Sequence, residues 1–428
     1  MKNKKKILIS VFISIISFFL LSIHPSYSES FEPSSKSLNN VNAEAYIVID
    51  TKTNTTLYSK NENKKMYPAS TTKILTAILV LENSDLNDMV TANYDSIRVL
   101  PEGYSSANVE VGETLSVEQL LELLLIPSCN DVANILAKHV GGSIDSFVSM
   151  MNTKANELGL TSSHFTNPYG MHDENHYTTA HDLALLFEYC MKNDDFRRIT
   201  GKASCSIPAT NKSSIRRYET TNKCIIPNNE HYYKYMTCGK TGFTSSAKQC
   251  LVSSSLNNNL ELICVVLGSE QRFNDTNILY NASYSNFSIN KIVSKNDVLS
   301  ETEIPNATSD TKNLKLLANE DILALVDSNF NKDSLHFDIV LDLNIKAPIY
   351  EGQTIGKVKF KINNIEYSSD IIASNNVKEK NNQNIMLSII SFMLISSILL
   401  EIFHIAYSNN NNSKNNNNNS KNSNTLKK

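Results

Sequence analysis

Hydrophobic and polar positions divide the chain into zones of different period. Residues 45–50 are apolar and β-branched, Lys52-Thr53-Asn54 interrupts them, and 56–59 resumes the pattern, which predicts a hairpin. Residues 74–81 are apolar without Gly or Pro, so a buried helix is expected there, with Ser70 in its first turn after Pro68 and Ala69. A second buried helix is expected over 120–126, where Ser116 and Gln119 stand at capping-box spacing ahead of the apolar run. It stops at Pro127-Ser128-Cys129-Asn130; a third helix covers 131–139 and ends at Gly141-Gly142. Further helices fit 147–158 and 178–191, on either side of a loop broken by Pro168 and Gly170. Strands are expected at 235–244, 249–255 and 260–268, then a helix to about 287. Residues 91–114 and 200–235 show no sustained period. Beyond about 298, Leu335, Phe337, Ile339, Leu341 and Leu343 alternate with polar residues, as do Val358, Phe360 and Ile362; this predicts a small antiparallel β module.

Both ends depart from the globular pattern. Lys2, Lys4, Lys5 and Lys6 precede an apolar run over 7–23, followed by Pro25 and Ser26-Tyr27-Ser28. That is the pattern of a secretory signal cleaved after Ser28, with an uncleaved N-terminal anchor as the rival. Residues 385–406 are almost wholly apolar and, at ~1.5 Å per residue, can cross a ~30 Å hydrocarbon core. The serines and Glu401 leave an in-plane amphipathic helix as the alternative. The Asn/Ser tail carries Lys414, Lys421, Lys427 and Lys428 without acidic neighbours, the bias of a cytoplasmic segment. The expected division is a signal peptide at 1–28, a flexible lead-in at 29–40, a main domain at 41–290 and a β domain at 298–372. A polar linker at 373–384, a membrane helix at 385–406 and an Asn/Lys-rich tail at 407–428 complete it.

Composition narrows the partners. A net charge of −3 over 428 residues leaves no broad basic face, which argues against nucleic acid. Seven cysteines without a paired framework read as small buried apolar residues, and the sequence leaves a Cys205–Cys224 disulfide open. His164, His172, His176 and His181 cluster in sequence, but Pro168 and Gly170 break any helical frame, so no metal is expected.

The candidate chemistry lies at Ser70. Lys73 is three residues on and shares its helix face; a serine at a helix N-terminus, beside free N–H groups and the positive dipole end, suits acyl transfer. The lysine must then be deprotonated near neutrality, about 3 units below its free value, by burial or a second cation. Ser-x-x-Lys alone is weak, since Ser245/Lys248 and Ser309/Lys312 share the spacing, and an ordinary N-cap is the plain reading of Ser70. Ser128 and Asn130, in a tight turn between helices, also read plainly as caps.

Three elements nevertheless stand in order: Ser70-x-x-Lys73, Ser128-x-Asn130 and Lys240-Thr241-Gly242, the signature of class A β-lactamases and penicillin-binding proteins. With Pro68-Ala69-Ser70-Thr71-Thr72-Lys73, Phe165-Thr166-Asn167-Pro168-Tyr169-Gly170, His176-Tyr177-Thr178-Thr179-Ala180 and Gly239-Lys240-Thr241-Gly242-Phe243-Thr244, residues 40–372 resemble the low-molecular-mass penicillin-binding proteins, serine-type D-alanyl-D-alanine carboxypeptidases of peptidase family S11. The resemblance implies an α/β catalytic domain of the β-lactamase/transpeptidase-like type, an antiparallel sheet flanked by helices, then a small all-β domain and a C-terminal membrane segment. It implies Ser70 as nucleophile, Lys73 as its base and Ser128 as proton relay. Asn130 would hold the substrate amide. Lys240 would be the second cation that lowers the pKa of Lys73. The backbone N–H groups of Ser70 and Phe243 would form the oxyanion hole beside Gly242. Thr241 and Arg272 would take the terminal carboxylate. No cofactor is implied. The expected partners are peptidoglycan stem peptides ending in D-Ala-D-Ala, β-lactam antibiotics and the cytoplasmic membrane, whose outer face the exported body would occupy. Cys129 departs from the family, in which Gly is frequent at that position, and the anchor looks more hydrophobic and the tail longer than usual. A β-lactamase, which needs a carboxylate to activate the deacylating water, and an idle wall-binding or β-lactam-sensing protein are the competing readings.

Overall fold

In this computed structural model the described residues are 38–97, 105–380 and 383–422. The signal peptide at 1–28, most of the lead-in and the last tail residues lie outside them. Two compact units emerge, the first built on residues up to Asn290 with 323–335 and 361–366, the second on 291–322, 336–360 and the residues from 367 on.

The first unit is organised by a five-stranded antiparallel sheet. Its strands are β1 (Ala45–Asp50), β2 (Thr56–Lys60), β3 (Met236–Thr244), β4 (Lys248–Asn257) and β5 (Leu260–Ser269), in the spatial order β2-β1-β5-β4-β3. The central strands are apolar on both sides because both sides are covered. Ile47, Ile49, Val252, Ile263 and Val265 join one core; Tyr46, Val48, Leu251, Leu262 and Val266 join another.

The first core belongs to helices α1 (Lys73–Asn83), α2 (Val117–Leu125), α3 (Asn130–Gly141) and α4 (Ala180–Cys190). The second is closed by α5 (Arg272–Asn286) through Leu279 and Tyr280. Helix α1 is buried along its whole first two turns, as an apolar run must be when neighbours α2, α3 and α4 surround it. The Ser116–Gln119 capping box forms as its spacing predicts, and Gly142 ends α3 at φ 73°.

Two local expectations change. Ser70 lies not in the α-helix but in a 3₁₀ turn, Ala69–Thr72, that feeds it. Neither Ser128 nor Asn130 caps α3 with its side chain; Cys129 holds the N-cap position without a side-chain bond. Residues 200–235 contain a short hairpin, Ser204–Ile207 with Arg216–Glu219, preceded by a helix over Asp194–Thr200. All seven cysteines are free; Cys205 belongs to the first core and Cys224 to the second, so the open pairing is not made.

The second unit carries a five-stranded antiparallel sheet: β6 (Val298–Glu303), β7 (Asn313–Ala318), β8 (Asp338–Leu341), β9 (Thr354–Ile362) and β10 (Ile365–Ala373), ordered β6-β7-β10-β9-β8. Val358, Phe360 and Ile362 turn one face inward as their alternation predicts. In the run from Leu335 to Leu343 only Asp338–Leu341 is strand, but Leu335, Phe337, Ile339 and Leu341 are half-buried between exposed neighbours; Leu343 is 95% exposed, because the edge strand β8 ends before it. The expected polar linker is tied down as far as Glu379: buried Val377 bridges Ile349 and Glu379 bridges Ala307. A final helix spans Gln383–Asn422, running past the apolar stretch into the expected tail since no Gly or Pro interrupts it. Its segment Met386–Asn409 is long and apolar enough to cross a membrane.

Candidate active site

The turn that bears Ser70 is shaped from below by the 165–177 loop. Thr76 Oγ1 donates to the Pro168 carbonyl at 2.6 Å, drawing the loop against α1. Gly170, at φ 87°, sits so close that a Cβ there would lie 1.8 Å from the Ala69 carbonyl oxygen. Ala69 itself adopts φ 49°, a strained value for a residue with a Cβ. His176 clamps the same loop. The Thr166 N–H donates to Nδ1 at 3.1 Å, so Nε2 carries the proton and donates to Thr72 Oγ1 at 2.8 Å. Burial pushes His176 down to about 4 and keeps it neutral. His164 turns instead to the Asn175 carbonyl and His172 to the Tyr67 ring, so the loop's histidines face different partners.

Lys73 is fully buried beneath this turn. Its Nζ donates to Ser70 Oγ at 3.0 Å, Asn130 Oδ1 at 2.5 Å and the Tyr169 carbonyl at 3.0 Å. A second lysine serves the second serine: Lys240 Nζ donates to Ser128 Oγ at 2.9 Å and to the Thr241 carbonyl at 2.9 Å. Ser128 and Asn130 are available to the lysines because backbone groups fix their turn. Ser128 adopts φ 70°, the Cys129 N–H donates to the Leu123 carbonyl, and the Asn130 N–H donates to the Ser105 carbonyl at 2.8 Å.

Strand β3 forms the edge of the sheet and lies against the nucleophile turn. A Cβ on Gly242 would stand 2.8 Å from the Pro68 carbonyl oxygen and 3.0 Å from the Ser70 nitrogen, so this approach requires glycine. Thr241 Oγ1 meets Thr221 Oγ1 at 2.5 Å. A cleft of about 360 Å³ opens onto Ser70, Ser128, Asn130, Tyr169 and Phe243. Phe243 is 63% exposed and also borders a neighbouring cavity of about 460 Å³, which is lined by Arg272. Arg272 opens α5, donates from Nη1 to the Gly242 carbonyl at 2.8 Å and lies over the Phe273 ring.

Burial brings Lys73 down to about 7, with Cys129 and Asp131 acting in the opposite direction. A fall from 10.5 to about 7 corresponds to roughly 5 kcal/mol against the buried cation. Burial of Ile74, Leu75, Ile78 and Leu79 on the same helix, at about 1.5–3 kcal/mol each, outweighs that cost. Lys240 is held well below the ordinary lysine value, first by burial and then by Lys73 and Arg272. Burial comes first for both lysines, as the apolar run after Lys73 leads one to expect, and the repulsion between the two ammonium groups is mutual.

The fold thus gathers eight of the nine residues singled out in the sequence, Ser70, Lys73, Ser128, Asn130, Lys240, Thr241, Gly242 and Phe243, around one turn and one strand edge. Arg272 approaches from the far side of β3. Tyr169 and Gly170 belong to the 165–170 stretch, but neither the carbonyl contact of the one nor the close approach of the other shows in its identity, and Thr221 and Ser105 carry no sequence signal.

Against known families, residues 31–271 match the D-alanyl-D-alanine carboxypeptidase model, and 287–379 match the model of the penicillin-binding protein 5 C-terminal domain. The chain is 28% identical over 329 residues to D-alanyl-D-alanine carboxypeptidase DacF of Bacillus subtilis, covering 74% of this chain and 81% of that one. It is 27% identical over 343 residues to D-alanyl-D-alanine carboxypeptidase DacA of Haemophilus influenzae, covering 77% and 83%. Among solved structures, penicillin binding protein 5 from Haemophilus influenzae superposes with a TM-score of 0.61 at 26% identity, covering 82% of this chain and 100% of that one. Ser-x-x-Lys, Ser-x-Asn and Lys-Thr-Gly therefore meet in the fold that the matching model describes, and the chain belongs to the D-alanyl-D-alanine carboxypeptidase family.

Proposed function

We propose that this chain hydrolyses the terminal D-Ala-D-Ala bond of peptidoglycan stem peptides through an acyl-enzyme on Ser70. The observation that carries the reading is the buried Lys73 Nζ, 3.0 Å from Ser70 Oγ and brought down to about 7. Neutral Lys73 takes the Ser70 hydroxyl proton as Oγ attacks the carbonyl between the two D-alanines. The backbone N–H groups of Ser70 and Phe243 receive the developing oxyanion. Ser128, bonded to Lys240, passes a proton to the departing amine while the C–N bond breaks and D-alanine leaves. Asn130 holds the substrate amide, and Lys240, Thr241 and Arg272 attract the terminal carboxylate, the guanidinium offering a paired contact. Water then attacks the ester and restores Ser70. β-Lactams acylate the same oxygen. The substrate lies along β3, the edge strand of the sheet among the described residues.

The basic apolar N-terminus and the helix Met386–Asn409 support an exported body at the outer face of the bacterial cytoplasmic membrane, anchored at its C-terminal end. The catalytic domain would occupy 41–290 and the β domain 298–372.

The test of the reaction is D-alanine release. The full chain should liberate D-alanine from a peptide ending in D-Ala-D-Ala and spare the same peptide ending in L-Ala-L-Ala. Folded protein that releases none from the first peptide would overturn the assignment.

A further inference from the structure

One buried ionisable group next to this machinery has no place in the steps above. Asp131 follows Asn130 and is 1% exposed. Its Oδ2 accepts from Ser106 Oγ at 2.7 Å and the Val109 N–H at 3.2 Å; its Oδ1 accepts from the Ala107 N–H at 3.0 Å. We propose that Asp131 is a positioning residue for acylation, whose side chain locks the 105–109 wall of the cleft to the turn bearing Ser128 and Asn130 and so holds Asn130 against Lys73.

The bonding favours a carboxylate over a neutral amide. Three donors converge on the two oxygens, and a backbone N–H meets each of them, so an asparagine would set its NH₂ against the Ala107 or the Val109 N–H, which cannot accept it. The wall is pinned from the other side as well. The Ala107 carbonyl accepts from Arg216 Nη1 and from the Tyr218 hydroxyl, each at 3.2 Å. Arg216 is paired with buried Glu113, which also accepts from Thr210 Oγ1 at 2.7 Å. Ser105 in the same wall lines the cleft, accepts the Asn130 N–H and donates from Oγ to the Pro127 carbonyl at 3.2 Å. A shift of this wall therefore moves the groups that hold Asn130 against Lys73.

The charge acts on the same lysine. The groups near Asp131 are Lys73 on α1, with Lys240 on β3 beyond it, the Cys129 thiol, and Tyr218 and Arg216 on the hairpin. Burial pushes the Cys129 thiol up to about 12 and leaves it neutral. Asp131 thus opposes the burial that depresses Lys73 and keeps the base from becoming too weak to take a serine proton.

The experiment follows kcat and KM for D-alanine release against pH with the full chain and two variants. In Asp131→Asn the acid limb of kcat/KM should move to lower pH by about half a unit or more, because Lys73 loses its proton more readily, and KM should rise several-fold. Ser106→Ala keeps the charge and removes one bond, so KM should rise with the limb in place. A merely structural Asp131 would lower the melting temperature and leave both KM and the limb unmoved in folded Asp131→Asn, and that result overturns the proposal. If Asp131→Asn does not fold, wild-type KM in Ser106→Ala overturns it and a raised KM supports it. The proposal rests on the Ser70–Lys73 reading, whose own failure shows separately as absence of release by the unmodified chain.

Discussion

Replacing Lys73 with methionine is expected to slow acylation of Ser70 by a factor of about 10² to 10⁴, the usual contribution of a positioned base. Methionine has a similar volume and suits the buried site, so the change removes the amine without opening a large cavity. The pH profile distinguishes a base from a spacer. Lys73 is brought down to about 7, so it is protonated and unable to accept the serine proton below that value. Wild-type kcat/KM should therefore rise as pH increases through about 7 and level off above it, and the residual activity of Lys73→Met should lack that limb. Single-turnover acylation followed from about pH 5 to pH 9 checks both parts. A folded variant with less than tenfold loss, or one that keeps the limb, would remove Lys73 from the role of base.

Gly170→Ala should be as damaging without touching a reactive atom. The added methyl would lie 1.8 Å from the Ala69 carbonyl oxygen and 2.9 Å from Thr72 Oγ1, on the turn that holds Ser70. Glycine also supplies the φ of 87° that alanine resists, at about 1–2 kcal/mol for the left-handed conformation alone. Backbone must move, and the Tyr169 carbonyl that receives Lys73 moves with it. We expect at least about 3 kcal/mol lost from stability, together with a fall in kcat. Denaturant unfolding reads the first and D-alanine release the second. Wild-type stability and turnover in this variant would mean that the loop does not brace the nucleophile.

The sequence displayed the side chains of the site better than the backbone that arranges them. Ser70, Lys73, Ser128, Asn130 and Lys240 are polar residues in or beside apolar runs, and that contrast makes them visible in a string of letters. Tyr169 contributes a carbonyl oxygen, which every residue has, so nothing in its identity predicts the bond to Lys73. The caps misled for a related reason. Ser and Asn before a helix usually accept from its first N–H groups, but here the turn's backbone is fixed by the Leu123 carbonyl of the preceding helix and by the Ser105 carbonyl, which is remote in sequence. Alternation identified β9, where both neighbouring strands are present, and overran β8, where the edge strand stops and Leu343 faces solvent. Asp131 was visible as a helix-start acid, yet its partners at Ser106, Ala107 and Val109 come from a stretch without period.

The central claim is that Ser70 Oγ carries the acyl group. Its most direct measurement is mass spectrometry of the intact chain, then of its peptides, after exposure to a β-lactam, with Ser70→Ala treated alongside. The account predicts one covalent adduct per chain, on the peptide containing Ser70, and none on the variant. An adduct on another residue, or equal labelling of the Ser70→Ala chain, would contradict it.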